Sequence, residues 1–169
     1  MTASDSTPTG NENQGLVVER IFNAPRELVW RAWTEPEQFM RWYGPKGFTM
    51  PACEIDFRVG GRHLWGLRSP DGWAYWTTGV YHEIVPFERF VTTDTMADEH
   101  GNVVPAAHYG MAGDIPIETI VTVTLEDLGG GKTKLTLRQS GWSDDDMAAG
   151  ASGGWNQAFD KLADTLAAA

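Results

Sequence analysis

The chain has 169 residues, 41% of them apolar or aromatic, with eight Trp, and its 13 Lys and Arg against 23 Asp and Glu give a net charge of −10. That length suits one domain and excludes two full ones, and the apolar content excludes disorder of the whole chain. The negative charge repels phosphate backbones and anionic lipid, so neither nucleic-acid binding nor membrane insertion is expected. The single Cys53 cannot form an intrachain disulfide, the first fourteen residues hold no cationic start or apolar run, and no stretch approaches ~18 consecutive apolar residues. A cytoplasmic protein of a reducing compartment is the reading, with no cofactor implied.

Residues 1–14, MTASDSTPTGNENQ, lack any periodic apolar position and read as a flexible tail ahead of a single domain over 15–169. LVVERIF at 16–22 is β-rich, and Asn23-Ala24-Pro25 stops it and presets a helical first turn. The helix predicted over 26–34 ends before Pro36, and a second short one follows over 36–42, closing at Tyr43-Gly44-Pro45. From Pro51 the apolar period changes from 3.6 to 2, so the middle of the chain is sheet. Strands are predicted over 53–59, 62–68, 73–85, 89–96, 117–126 and 132–139. Turns at Gly60-Gly61, Pro70-Asp71-Gly72 and Gly129-Gly130-Gly131 separate three of these pairs. Residues 97–116 have no clean period and read as a long loop. Ser143, followed by three Asp, reads as the N-cap of a final helix with Trp155, Phe159, Leu162 and Leu166 as its apolar stripe. Gly150, Gly153 and Gly154 cost that helix propensity, so a kink or a late start is expected there.

The order of strand, two short helices, six strands and a long helix is that of an α+β domain whose curved antiparallel sheet closes around the last helix. The segments APRELVWRAWTEPEQFMRWYGP, EIDFRVGGRH, PDG, GVYHEIVPFERF, the TVTLED and GGGKTKLTLRQSGW hairpin, and GGWNQAFDKLADTL, in this order, resemble the Hsp90-ATPase-activator-homologue-1-like branch of the START/Bet v 1 helix-grip superfamily over residues 16–167. The resemblance implies a helix-grip fold with an apolar cavity between sheet and helix, used across the superfamily for lipids, polyketides, hormones and other hydrophobic ligands, and by a minority of members for catalysis. The co-chaperone activity belongs to a multi-domain eukaryotic member, so it transfers poorly to the one domain recognised here.

Strand alternation then assigns the concave face. Phe57, His63, Trp65 and Leu67 fall on it, followed by Thr92, Asp94 and Met96, then Val121, Val123, Leu135, Leu137 and Gln139, with Trp155 and Phe159 facing them from the helix. On the long strand Trp76, Thr78 and Val80 alternate with Tyr75, Thr77, Gly79 and Tyr81, and one bulge would exchange the two sets; Trp76 is taken with the ligand-lining residues. Family members mostly carry aromatic or aliphatic side chains where this chain has His63, Thr92 and Asp94, which implies a polar end to the cavity. Trp30, Trp33 and Trp42 read as packing around the short helices, Cys53 as a small core residue, and Asp56 with Arg58 as a solvated ion pair. His100, His108, Glu99 and Asp114 share the long loop at spacings that fit no metal-ligand pattern.

Three functions fit. The first is a protein that binds a small hydrophobic or amphipathic ligand, with aromatic rings supplying area and His63, Asp94 and Gln139 orientation. The second is a cyclase-, aromatase- or hydrolase-type enzyme using His63 with Asp94, or Tyr81, as acid and base. The third is an interaction module, a chaperone partner or homodimer, built on exposed Trp.

Overall fold

A computed structural model describes residues 15–110, 118–142 and 145–168. The tail expected over 1–14, the N-cap expected at Ser143 and the segment 111–117, with Asp114, lie outside the described residues. The elements are β1 (Leu16–Phe22), α1 (Arg26–Thr34), α2 (Pro36–Phe39), β2 (Thr49–Ile55), β3 (Arg62–Arg68), β4 (Ala74–Val85), β5 (Arg89–Ala97), a 3-10 helix (Ala106–Tyr109), β6 (Glu118–Gly129), β7 (Lys132–Ser140) and α3 (Asp145–Ala167). All seven strands form one antiparallel sheet in the order β1-β7-β6-β5-β4-β3-β2, curled around α3. No helix among the described residues is long and apolar enough to cross a membrane.

Strand register shows which side chains share the concave face. Gln139 pairs with Val121, Val121 with Thr92, and Thr92 with Tyr81, so one row crosses β7, β6, β5 and β4. Leu67 pairs with Tyr75, Trp65 with Thr77, and Thr77 with Met96. Since directly opposed residues point to the same side, Tyr75, Thr77, Gly79 and Tyr81 face inward on β4. Trp76 is opposite Gly66 and lies on the outer face, where its indole Nε1 stands 2.6 Å from the place a Gly66 Cβ would occupy. The assignment of Trp76 to the ligand wall is therefore corrected to Tyr75. The β4 bulge exists, but it falls between Tyr81 and Glu83, beyond the residues whose face it would have exchanged.

Two further expectations change. β2 runs earlier than predicted and ends at Ile55, leaving Phe57 in the turn, where its ring packs at 5.5 Å from Trp30 and 4.9 Å from Tyr81. α3 runs without a break through all three of its glycines, from Asp145 to Ala167, so it does not start late. The helix is held from both flanks. Arg20 on β1 bonds Asp160 at 3.0 Å and the Asn156 carbonyl at 3.2 Å, while the Lys161 ammonium donates to the carbonyls of Pro45 and Phe48 at 3.1 and 3.3 Å.

Candidate functional site

Most of the space inside the grip is filled with rings. Trp33, Phe39, Trp42 and Phe159 are almost wholly buried and meet in edge-on and tilted pairs 4.7 to 6.3 Å apart, and the Trp42 indole N–H donates to the Ala32 carbonyl at 2.9 Å. Trp65 closes on this cluster through Phe39 at 4.7 Å. Val121, Val123, Leu135 and Leu137 complete the closed end from the sheet. Trp65, Val121, Val123 and Phe159 thus belong to the core, and none of them lines the cavity or the side chamber described next.

Space opens at the other end, under the first turns of α3. A cavity of about 230 Å³ lies between the concave sheet and this helix. Its roof is Gly150, Ala151, Gly154, Trp155 and Ala158, which recur at helical spacing on one face, and its rim is Tyr43, Gly44 and Pro45. Leu67, Tyr75, Asp94, Gln139 and Trp142 make the floor. A side chamber of about 70 Å³, bordered by Thr77, Thr95, Met96 and Thr119, shares Asp94, Gln139 and Trp142 with it. Of the residues expected to line a ligand site, Leu67, Asp94, Gln139 and Trp155 border the main cavity and Met96 the side chamber.

His63 and Asp94 do not assemble into an acid–base pair. Between the paired residues Thr78↔Thr95 and Tyr81↔Thr92 the β4–β5 ladder is interrupted, and side chains bridge the gap. The Val80 N–H donates to the Thr93 hydroxyl at 3.0 Å, the Thr92 hydroxyl to the Val80 carbonyl at 3.1 Å, and the His63 Nε2–H to the Thr93 carbonyl at 3.0 Å. The imidazole reaches across β4 only because residue 79 is glycine: a Cβ there would lie 1.8 Å from the Thr93 oxygen and 2.5 Å from Nε2. A carbonyl can only accept, so His63 carries its proton on Nε2. It stacks flat on Trp65 at 3.8 Å, and burial lowers its pKa to about 4, against the opposing effect of its bond to Thr93. His63, Thr92 and Tyr81, all about 1% exposed, stand away from the cavity as structural groups.

Gln139 is also committed. The Trp155 indole N–H donates to its Oε1 at 2.9 Å, and its own amide N–H donates to the Thr119 hydroxyl at 2.9 Å. The indole is a donor only, which fixes the amide's orientation. Two buried polar atoms on the cavity floor remain without a partner, Asp94 Oδ1 and Trp142 Nε1. Burial raises the Asp94 carboxyl to about pH 7, opposed only in part by the Thr77 hydroxyl. Tyr43 and Tyr75 are pushed upward by burial and then by Asp94, so both are neutral phenols. Among the described residues no group of three or more His, Cys, Asp or Glu could hold a metal ion.

Sequence reasoning missed Tyr43, Trp142 and the small residues of the roof. The spacing of Gly150, Gly154 and Ala158 was a usable signal, because a helix face of small residues opposite a concave sheet leaves room. Nothing in the local pattern marked Trp142, which follows β7.

A seven-stranded sheet curled round a C-terminal helix, with a cavity between them, defines a helix-grip protein. The chain belongs to the family described as activator of Hsp90 ATPase homolog 1-like protein, whose family model matches residues 23–167. A crystal structure of a Chromobacterium violaceum protein is similar at 30% identity, over 89% of this chain and 95% of that one, with a TM-score of 0.73. A solution structure of an Arthrobacter aurescens protein matches at 26% identity over 90% and 86%, with a TM-score of 0.72. The AHSA1 protein of Silicibacter pomeroyi, at 24% identity over 90% and 96%, shares the fold with a TM-score of 0.72. None of the curated proteins compared matches the chain.

Proposed function

We propose that the protein binds a small hydrophobic or amphipathic molecule in the cavity under α3. The observation that carries this is the identity of the roof. A Cβ at Gly150 would meet nothing within 4 Å, and one at Gly154 would meet only Pro45, at an ordinary 3.7 Å. Neither has a positive φ. Neither backbone geometry nor crowding therefore calls for glycine, yet each glycine in a helix interior costs about 1 kcal/mol relative to Ala. What the two glycines keep is open volume over the floor. An apolar cavity of ~150 Å³ takes one benzene, so about 230 Å³ suits a single ring with a short chain.

The test uses 2-phenylethanol and the full chain, read by saturation-transfer NMR. Binding is expected in the wild type and in Gly153→Ala, whose added methyl meets nothing and does not border the cavity. It is expected to vanish in Gly150→Leu, whose side chain fills the space. Equal signals from wild type and Gly150→Leu, or none from either, would refute the reading.

A further inference from the structure

The cavity floor has an unbalanced charge inventory. All thirteen Lys and Arg and all four His lie within the described residues, and none of them borders the main cavity or its side chamber. Lys161, the basic residue that ties α3 to the rim, already donates to two backbone carbonyls there. Among the described residues one carboxyl, Asp94, faces the space, with Oδ1 buried and unpartnered. Around it stand the rings of Tyr43, Tyr75, Trp142 and Trp155. A buried carboxylate needs a counter-charge, and aromatic faces attract cations through their quadrupole.

We infer that the cavity takes an organic amine, its ammonium paired with Asp94 and enclosed by the four rings, its apolar body under the glycines of α3. This rests on the cavity reading above and names the ligand class for it. A neutral alcohol could bond one carboxyl oxygen but would leave the charge uncompensated, and a carboxylate ligand would add a second negative charge beside it. The net charge of −10 favours the approach of cations and disfavours anions. The unpartnered Trp142 N–H adds a place for an acceptor atom on the same molecule.

Affinity for an amine should follow the ionisation of Asp94. The titratable groups facing it are Tyr43, beyond α2, and Tyr75 and Tyr81 on β4, all raised and therefore neutral between pH 6 and 8. Thr119 on β6, Gln139 on β7 and the roof of α3 add no titratable side chain. An amine with a pKa above this range is charged throughout, so its binding tightens as pH rises through the point near 7 where Asp94 loses its proton.

The test compares phenethylamine, 2-phenylethanol and phenylacetate, three probes of one size, by titration calorimetry on the full chain at pH 6 and pH 8. Phenethylamine is expected to bind roughly tenfold or more tighter than 2-phenylethanol at pH 8, with phenylacetate weakest. That margin should shrink at pH 6, while 2-phenylethanol is unchanged. Asp94→Asn, with folding checked by its thermal unfolding curve, should abolish the margin and its pH dependence. Phenethylamine binding no tighter than 2-phenylethanol, or equally tight to Asp94→Asn, would overturn the amine inference alone. No binding of 2-phenylethanol to the wild type at either pH would overturn the cavity reading with it.

Discussion

The two ends of the grip solve the same packing problem in opposite ways. At one end Trp33, Phe39, Trp42 and Phe159 fill the space between helix and sheet with rings. At the other, α3 presents Gly150, Ala151 and Gly154 over a sheet floor that carries a carboxyl. Burial of large rings is the main source of stability in a domain of this size, and the open end forgoes it. The difference separates residues that pack the core from residues that border the cavity, even though both sets are aromatic-rich and share one sheet face.

The largest effect expected from breaking this division is at the closed end. Trp42→Ala should cost about 3–5 kcal/mol in urea unfolding, as large-to-small changes in a packed core do, with no gain of a second ligand. Trp155→Ala, beside the existing cavity, should cost less and lose 2-phenylethanol. Equal costs would erase the distinction between the ends.

At the seam between the ends, Gly79→Ala should destabilise by about 2–3 kcal/mol, because the new methyl meets the Thr93 carbonyl, a backbone atom that cannot rotate away. The same denaturation curve checks it.

Asp94→Asn should act with opposite sign. The carboxyl's pKa is raised on folding from 3.8 to about 7, so the folded chain retains a proton that the unfolded chain has released. The stability from Asp94 is thus fully present below pH 3.8 and lost as pH rises through 7. The variant should exceed the wild type in thermal midpoint at pH 8, by an amount equivalent to roughly 1–3 kcal/mol, and the gain should fade toward pH 4. His63 runs the other way: its pKa falls from 6.5 to about 4, so its contribution is intact above 6.5 and lost as pH falls through 4.

The smallest effect is the sharpest for the roof. Gly150→Ala and Gly153→Ala should each stabilise α3 by about 0.5–1 kcal/mol. Matching gains in midpoint would show that the fold itself has no use for glycine at either position.

Element boundaries were legible where punctuation was strong. Pro25 and Pro36 bracket α1, and the predicted 26–34 is the span observed. The helix-grip order was legible from the switch of period after the Gly/Pro-rich bend. The site was less so, because strand alternation gives two faces without saying which is inside. Leu67, Asp94, Met96 and Gln139 lay on strands whose inner face was set by neighbouring apolar residues. On β4 both faces carry rings and Thr, so Trp76 and Tyr75 were interchangeable until pairing with Gly66 and Leu67 separated them. His63 and Asp94 look like a catalytic pair in one dimension. That Gly79 lets the imidazole cross to Thr93 is a fact of register that spacing along the chain does not contain.

Of the eight indoles, Trp142 and Trp155 are the two that border the cavity, and they differ in one respect: the Trp155 N–H is already bonded to Gln139, while that of Trp142 is free. A molecule entering the cavity with an acceptor atom would change the hydrogen bonding of one ring and not the other. Filling of the cavity as proposed is therefore expected to shift tryptophan emission, and Trp142→Phe to remove that shift.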